Sequence, residues 1–146
     1  MSPISPAALE RLRAYAAAHP EIAGVILFGS VARGEAHPES DLDIGVLLTR
    51  EANTRGMDWL HLVSDMAEIF GREDIDVAIL NRATPLLMHR VVRDGHLLYA
   101  ANNRAVAEFH LHAIQQYEDT RPLREMQYQR LLQQLDTPEL KVEADR

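Results

Sequence analysis

Two short apolar runs on either side of a polar, glycine-bearing loop constrain this chain more than any other feature. The first, IAGVILF over Ile22–Phe28, is rich in β-branched residues and bounded by Pro20 before and Gly29-Ser30 after, which predicts a buried strand. The second, DLDIGVLL, follows the stretch SVARGEAHPES and reads as the neighbouring strand. Side chains alternate along a strand, so Asp41 and Asp43 share one face while Leu42, Ile44 and Val46 share the other, toward a core. Residues 74–80, DIDVAIL, predict a third strand, with Asp74 and Asp76 on one face and Ile75, Val77 and Ile79 on the other.

Helices fill the intervals. Ser5 followed by Pro6 is a capped helix start, Leu9, Leu12 and Tyr15 give its apolar stripe, and His19-Pro20 ends it. Over residues 57–70, beginning at Met57, Trp59, Leu62, Val63, Met66, Ile69 and Phe70 fall at helical spacing, with Gly71 as the C-terminal cap. Thr84-Pro85 repeats the cap-then-proline signature, and Leu97-Leu98-Tyr99 predicts a short edge strand after Gly95. Residues 102–136, ending at Asp136, read as a two-helix tail, with Val106, Phe109, Ala113, Ile114 and Tyr117 in one helix. Leu123, Met126, Leu131 and Leu135 in the other are expected to be core in preference to a partner-facing stripe. The fold expected is α/β (α+β), a small mixed sheet flanked by helices: residues 1–100 form the core and 101–146 a helical extension of the same domain.

The 146 residues suffice for about one domain, and the 47% hydrophobic content for one core. A formal charge of -7 argues against broad binding to a phosphate backbone, so no direct nucleic-acid partner is expected. With no cysteine there is neither a disulfide framework nor a thiolate metal site. The N-terminus lacks an apolar core of signal-peptide type and no run reaches the roughly 18 apolar residues of a membrane span. A soluble, cytoplasmic protein with no membrane partner is expected.

Chemistry concentrates where the strands meet the loop. If the second and third strands are neighbours, carboxylates converge at one sheet edge, where like charges repel unless a cation sits between them. Oxygen-only ligands favour Mg²⁺, and two such ions about 3.5–4 Å apart clamp the oxygens of an in-line phosphoryl displacement. Gly29 lets backbone approach a phosphate, and Ser30 offers a hydroxyl and an N–H at a helix start. Asp74 and Asp76 remain alternatives for the third acid. Arg33 reads as a triphosphate contact or a solvated loop cation, Ser40 as a phosphate contact or a turn former, and Glu35 and Glu39 as surface charge. His110 and His112, two apart on a helix, do not face one way and make no zinc pair. Arg104 and His110 reproduce the R-x(4–6)-H spacing of HEPN ribonucleases, but too little chain follows for such a bundle.

The strings F-G-S-V-A-R-G and S-D-L-D-I, with ten residues between Ser30 and Asp41, resemble the G-S-x(10)-D-x-D signature of polymerase-β-type nucleotidyltransferases. I-D-V-A-I-L-N-R-A-T-P-L-L and R-D-G-H-L-L-Y are similar to strings of the small MNT antitoxins, which pair with HEPN-domain ribonuclease toxins. The likeness spans residues 20–100 and is loose in the tail. It implies a polymerase-β-like core in which Gly29 and Ser30 hold the triphosphate of ATP, Asp41 and Asp43 bind metal, and Asp76 supplies the third carboxylate and base. It also implies an acceptor, a tyrosine hydroxyl on a cognate HEPN toxin, so that the chain acts as antitoxin by AMP transfer. Two other readings stand beside it: transfer to a small hydroxylated molecule such as an aminoglycoside, and a non-catalytic module that neutralises a toxin by contact.

Overall fold

The computed structural model describes residues 4–35, 40–55 and 58–135; the Met57 start, the Asp136 end and Glu39 lie outside them. The chain runs α1 (Pro6–Ala17), β1 (Ile22–Phe28), α2 (Gly29–Ala32), β2 (Leu42–Leu48), α3 (Arg50–Arg55), α4 (Trp59–Phe70) and β3 (Ile75–Ile79). A 3₁₀ turn (Leu80–Arg82) then leads to α5 (Pro85–Asp94), β4 (His96–Ala100), α6 (Asn103–Asp119) and α7 (Arg121–Leu135).

The four strands form one mixed sheet in the order β3-β2-β1-β4. β1 is antiparallel to β2 and to β4, and β2 is parallel to β3. Helices cover both faces, which is why every residue of β1 is buried. On one face Leu12, Val25, Leu27, Ile44, Val46, Leu62, Met66 and Val77 share a core with α1 and α4. On the other, Ala23, Ile26, Phe28, Leu47, Met88, Val91, Val106 and Phe109 pack with α5 and α6. Ala23 and Val25, two apart, face opposite sides because β1 shifts register between Ile22 and Gly24. β4 is an edge strand, and of the helices described none is long and apolar enough to cross a membrane.

Local chemistry sets the helix ends. The Ser5 hydroxyl accepts from Ala8 N at 3.1 Å, and Thr84 Oγ1 accepts from Leu87 N at 3.2 Å; each is followed by proline at the first helical position. Asp58 caps α4 by accepting from His61 N, and Gly71 closes it at φ 66°, a left-handed residue that needs no Cβ. Leu62, Met66 and Ile69 form its buried stripe, whereas Trp59 is exposed and its indole N–H donates to Val77 O at 2.8 Å.

The tail corrects one expectation. α6 seats Val106, Phe109 and Ala113 on the sheet, but α7 buries nothing, and Leu123, Met126, Leu131 and Leu135 are exposed. They span about half of the circumference of α7 and are interleaved there with Arg124, Gln127 and Gln134, so the helix carries no continuous apolar stripe to pack inward. Its root is tied by Arg124, whose guanidinium lies 3.6 Å from the Tyr117 ring centre and donates to Tyr117 O at 2.7 Å. Tyr117 in turn stacks on His89 of α5 at 3.7 Å.

The contrast between the two tail helices is measurable. Phe109→Ala empties a core position and is expected to destabilise by about 3–5 kcal/mol. Leu131→Ala, on a side chain 51% exposed, should stay within about 0.5 kcal/mol of the parent. Chemical denaturation of the two variants checks this; equal losses would place α7 in the core after all.

Candidate active site

β1 runs out into α2 at one end of the sheet, and the backbone there is special. Phe28 closes the strand and Gly29 opens the helix at φ 79°, a conformation side chains with a Cβ rarely adopt. A Cβ on Gly29 would also run into the Asp43 carboxylate. Backbone and space both demand glycine, and Ser30 follows it on the first turn of α2.

Register then sets the acids. Phe28 pairs with Asp43 across the antiparallel ladder, and Asp43 pairs with Asp76 across the parallel one. The residues flanking Asp43 and Asp76, namely Leu42, Ile44 and Val77, are buried on the α1/α4 side, so by alternation both carboxylates stand on the α5 side. Burial pushes the Asp43 carboxyl up from its ordinary value, the like charges of Asp76 and Asp41 push it further, and Arg33 partly offsets them.

A cavity of about 490 Å³ opens here. Gly29, Ser30 and Arg33 form one part of its wall, Asp43 and Asp76 a second, and Leu87, Arg90, Arg93 and Asp94 of α5 a third. Arg33 follows α2, donating from Nε to Glu35 at 3.0 Å and from Nη1 to Asp94 at 2.8 Å. Arg93 donates to the same Asp94 carboxylate at 2.9 and 3.0 Å. These bonds, those of Arg93 foremost, hold the Asp94 carboxyl below the usual range against the burial that would raise it. Two larger hollows, about 890 Å³ at the α6–α7 junction and about 570 Å³ beside α6, carry none of these residues.

The structure thus brings together Gly29, Ser30, Arg33, Asp43 and Asp76. Asp41 and Ser40 are not part of the cavity wall. Asp41 is exposed just before β2, with its charge felt at Asp43 and Arg72, and Ser40 is buried with its carbonyl accepting from Arg72 Nη2 at 2.8 Å. Asp74 is separated from Asp76 by its partner: Arg72 donates to both its oxygens, at 2.9 and 2.6 Å, and holds its carboxyl below the ordinary value. An acidic, oxygen-only donor set suits a hard divalent cation. Among the described residues, no three acidic or histidine side chains stand close enough as arranged to hold one ion. Sequence reasoning missed Arg90, Arg93 and Asp94; the spacing of Leu87, Arg90 and Asp94, one face of a helix, was the available signal.

The family described as Polymerase beta, Nucleotidyltransferase matches residues 10–104. No curated protein matches the sequence. Among solved structures, a chain of a toxin-antitoxin crystal structure with AMP-PNP superposes with a TM-score of 0.70 at 23% identity, covering 85% of this chain and 98% of the other. A chain of the tri-AMPylated Shewanella oneidensis HEPN toxin in complex with MNT antitoxin gives 0.60 at 22%, covering 77% and 85%. A chain of the toxin-antitoxin MntA-HepT gives 0.65 at 20%, covering 86% and 97%. At these identities the likeness is one of fold.

The raised Asp43 carboxyl carries a stability signature. A carboxyl whose folded pKa exceeds its unfolded value, about 3.9, penalises the native state above that range and not below it, where both states are protonated. Asp43→Asn is therefore expected to raise Tm at pH 7 and to lose that gain as pH falls toward 3. Scanning calorimetry of both proteins across this range tests it; a gain that persists in acid, or a loss at pH 7, contradicts the crowding of charge.

Proposed function

The chain belongs to the polymerase β nucleotidyltransferase family, and we propose that it transfers AMP from ATP to a tyrosine hydroxyl of a HEPN-domain partner, serving as that partner's antitoxin. The observation that carries the chemistry is the pairing of Asp43 with Asp76 beside Gly29 and Ser30 on one cavity wall. The choice of acceptor is supported by the neighbours of similar fold, one with AMP-PNP and one with a tri-AMPylated HEPN toxin.

In this reading Gly29 and Ser30 hold the triphosphate, with Arg33 beside them. Asp43 and Asp76, with Asp41 drawn in from the entry of β2 when a cation binds, would supply oxygens for magnesium, which would offset the phosphate charge. Asp76 orients the acceptor hydroxyl and takes its proton. The acceptor oxygen forms a bond to the α-phosphorus as the bond to the bridging oxygen breaks, and pyrophosphate leaves. Arg72 occupies both oxygens of Asp74, which favours Asp76 for the base role. Leu123, Met126 and Leu131, exposed on α7, offer a surface on which a protein acceptor can be brought to the cavity.

Incubation with labelled ATP, magnesium and the candidate partner tests this. Asp41→Asn with Asp43→Asn should abolish labelling. Asp76→Ala should cost at least about a hundredfold, the scale for a positioned base, and Asp74→Ala little. Suppression of toxicity by the double variant, with an unmodified partner by intact mass, would show a contact-only module instead. Labelling of a small hydroxylated molecule but not of the partner would overturn the choice of acceptor alone.

A further inference from the structure

The cavity wall carries charge of both signs. Asp43 and Asp76 supply the negative charge of its wall, and three arginines supply the positive, Arg33 at the end of α2 and Arg90 and Arg93 on α5. The arginines are not equivalent. Arg33 is shared between Glu35 and Asp94, and Arg93 grips Asp94 with two nitrogens, so both are held in place and partly neutralised. Arg90 lines the same cavity, one helical turn from Leu87 and Asp94, with no hydrogen bond or ion pair among the described residues. An arginine keeps its charge at any physiological pH and presents a planar fork of donors suited to phosphate oxygens.

Most of the negative charge of a nucleoside triphosphate lies on its β- and γ-phosphates, so with an α-phosphate near Asp43 and Asp76 the charge that remains suits an uncommitted cation on the same cavity wall. Gly29 and Ser30 lie where α2 meets that acid pair, and the Arg33–Asp94 bond shows that α5 adjoins the far end of α2. The geometry points to Arg90, backed by Arg93, as the contact for the β- and γ-phosphates, and hence for the pyrophosphate that departs. This inference rests on the nucleotidyltransferase reading for its biological meaning, yet it concerns anion binding and is testable without transfer.

The probe is inorganic tripolyphosphate, titrated calorimetrically into the full chain with magnesium present, and compared with AMP. Arg90→Gln is expected to weaken tripolyphosphate about tenfold, the scale of losing one charge-assisted contact, and AMP less than about twofold. Its Tm should stay at the parent value, since Arg90 is exposed and unpaired among the described residues. Arg130→Gln, which removes the same charge from α7, should leave both affinities unchanged. An unaltered tripolyphosphate Kd in Arg90→Gln, an equal loss for AMP, an equal loss in Arg130→Gln, or no binding by the wild type would each overturn the assignment. If the binding pattern holds but the wild type transfers nothing, the phosphate contact stands and the transferase reading falls. If transfer occurs while Arg90→Gln binds as the parent does, the reverse follows.

Discussion

The parallel register of β2 on β3 is the constraint on which the site depends. It sets Asp43 opposite Asp76, and because side chains alternate with a period of two, a slip of one residue would turn Asp43 into the core and Ile44 out of it. Burial opposes that slip: Leu42, Ile44, Val46 and Val77 are nearly inaccessible on the opposite face. Both ends of the pair are also pinned by side chains. The Asn81 amide brackets the Leu48 backbone at 2.8 and 2.9 Å, and Arg72 links the Ser40 carbonyl to Asp74 at the other end. A crowded acid pair is tolerated because the surrounding ladder cannot relax to relieve it.

Opposite this acid pair, α5 introduces the counter-charge, and its placement follows from the second core face. Met88 and Val91 seat α5 on the sheet, and the same helix ends in Asp94, whose side chain is only 4% exposed. A buried carboxylate without partners would be costly, and here it has two guanidinium groups. Asp94 thereby couples α2 to α5, so the glycine–serine turn and the cationic wall are held to one another by more than apolar packing. The cavity's polarity is a consequence of two helices meeting at one buried anion.

Much of this was legible in the sequence where local rules decide. Ser5-Pro6, Thr84-Pro85 and Gly71 mark helix ends through their own chemistry, and the alternation of Asp43 and Asp76 with apolar neighbours follows from strand geometry alone. Alternation could not tell Asp74 from Asp76, because it gives both the same face; what distinguishes them is Arg72, whose side chain pairs with Asp74 alone, while Asp76 lines the cavity. Nor could it place Asp94, which reads as an ordinary polar residue at a helix end until Arg33, far away in sequence, is brought beside it. α2, four residues long and opened by a left-handed glycine, has no periodic pattern to detect. In α7 the count of apolar residues pointed to a core, while the polar residues interleaved among them left no continuous stripe to bury.

That distribution has a physical consequence for how the site is used. Isolated helices of fewer than about 12–15 residues are marginal in water, and α7, with 15 residues and none buried, draws little support from the domain. What holds its root is the stack of His89, Tyr117 and Arg124, which connects α7 through α6 to α5. The cavity, at about 490 Å³, lies within the range of pockets for small molecules and has no room for a large acceptor in addition to a nucleotide. Under the transferase reading the acceptor must therefore arrive from outside and be held by some other surface. α7 presents such a surface, and because its root bears on α5, a partner gripping it would be registered against the same helix that carries Arg90 and Asp94.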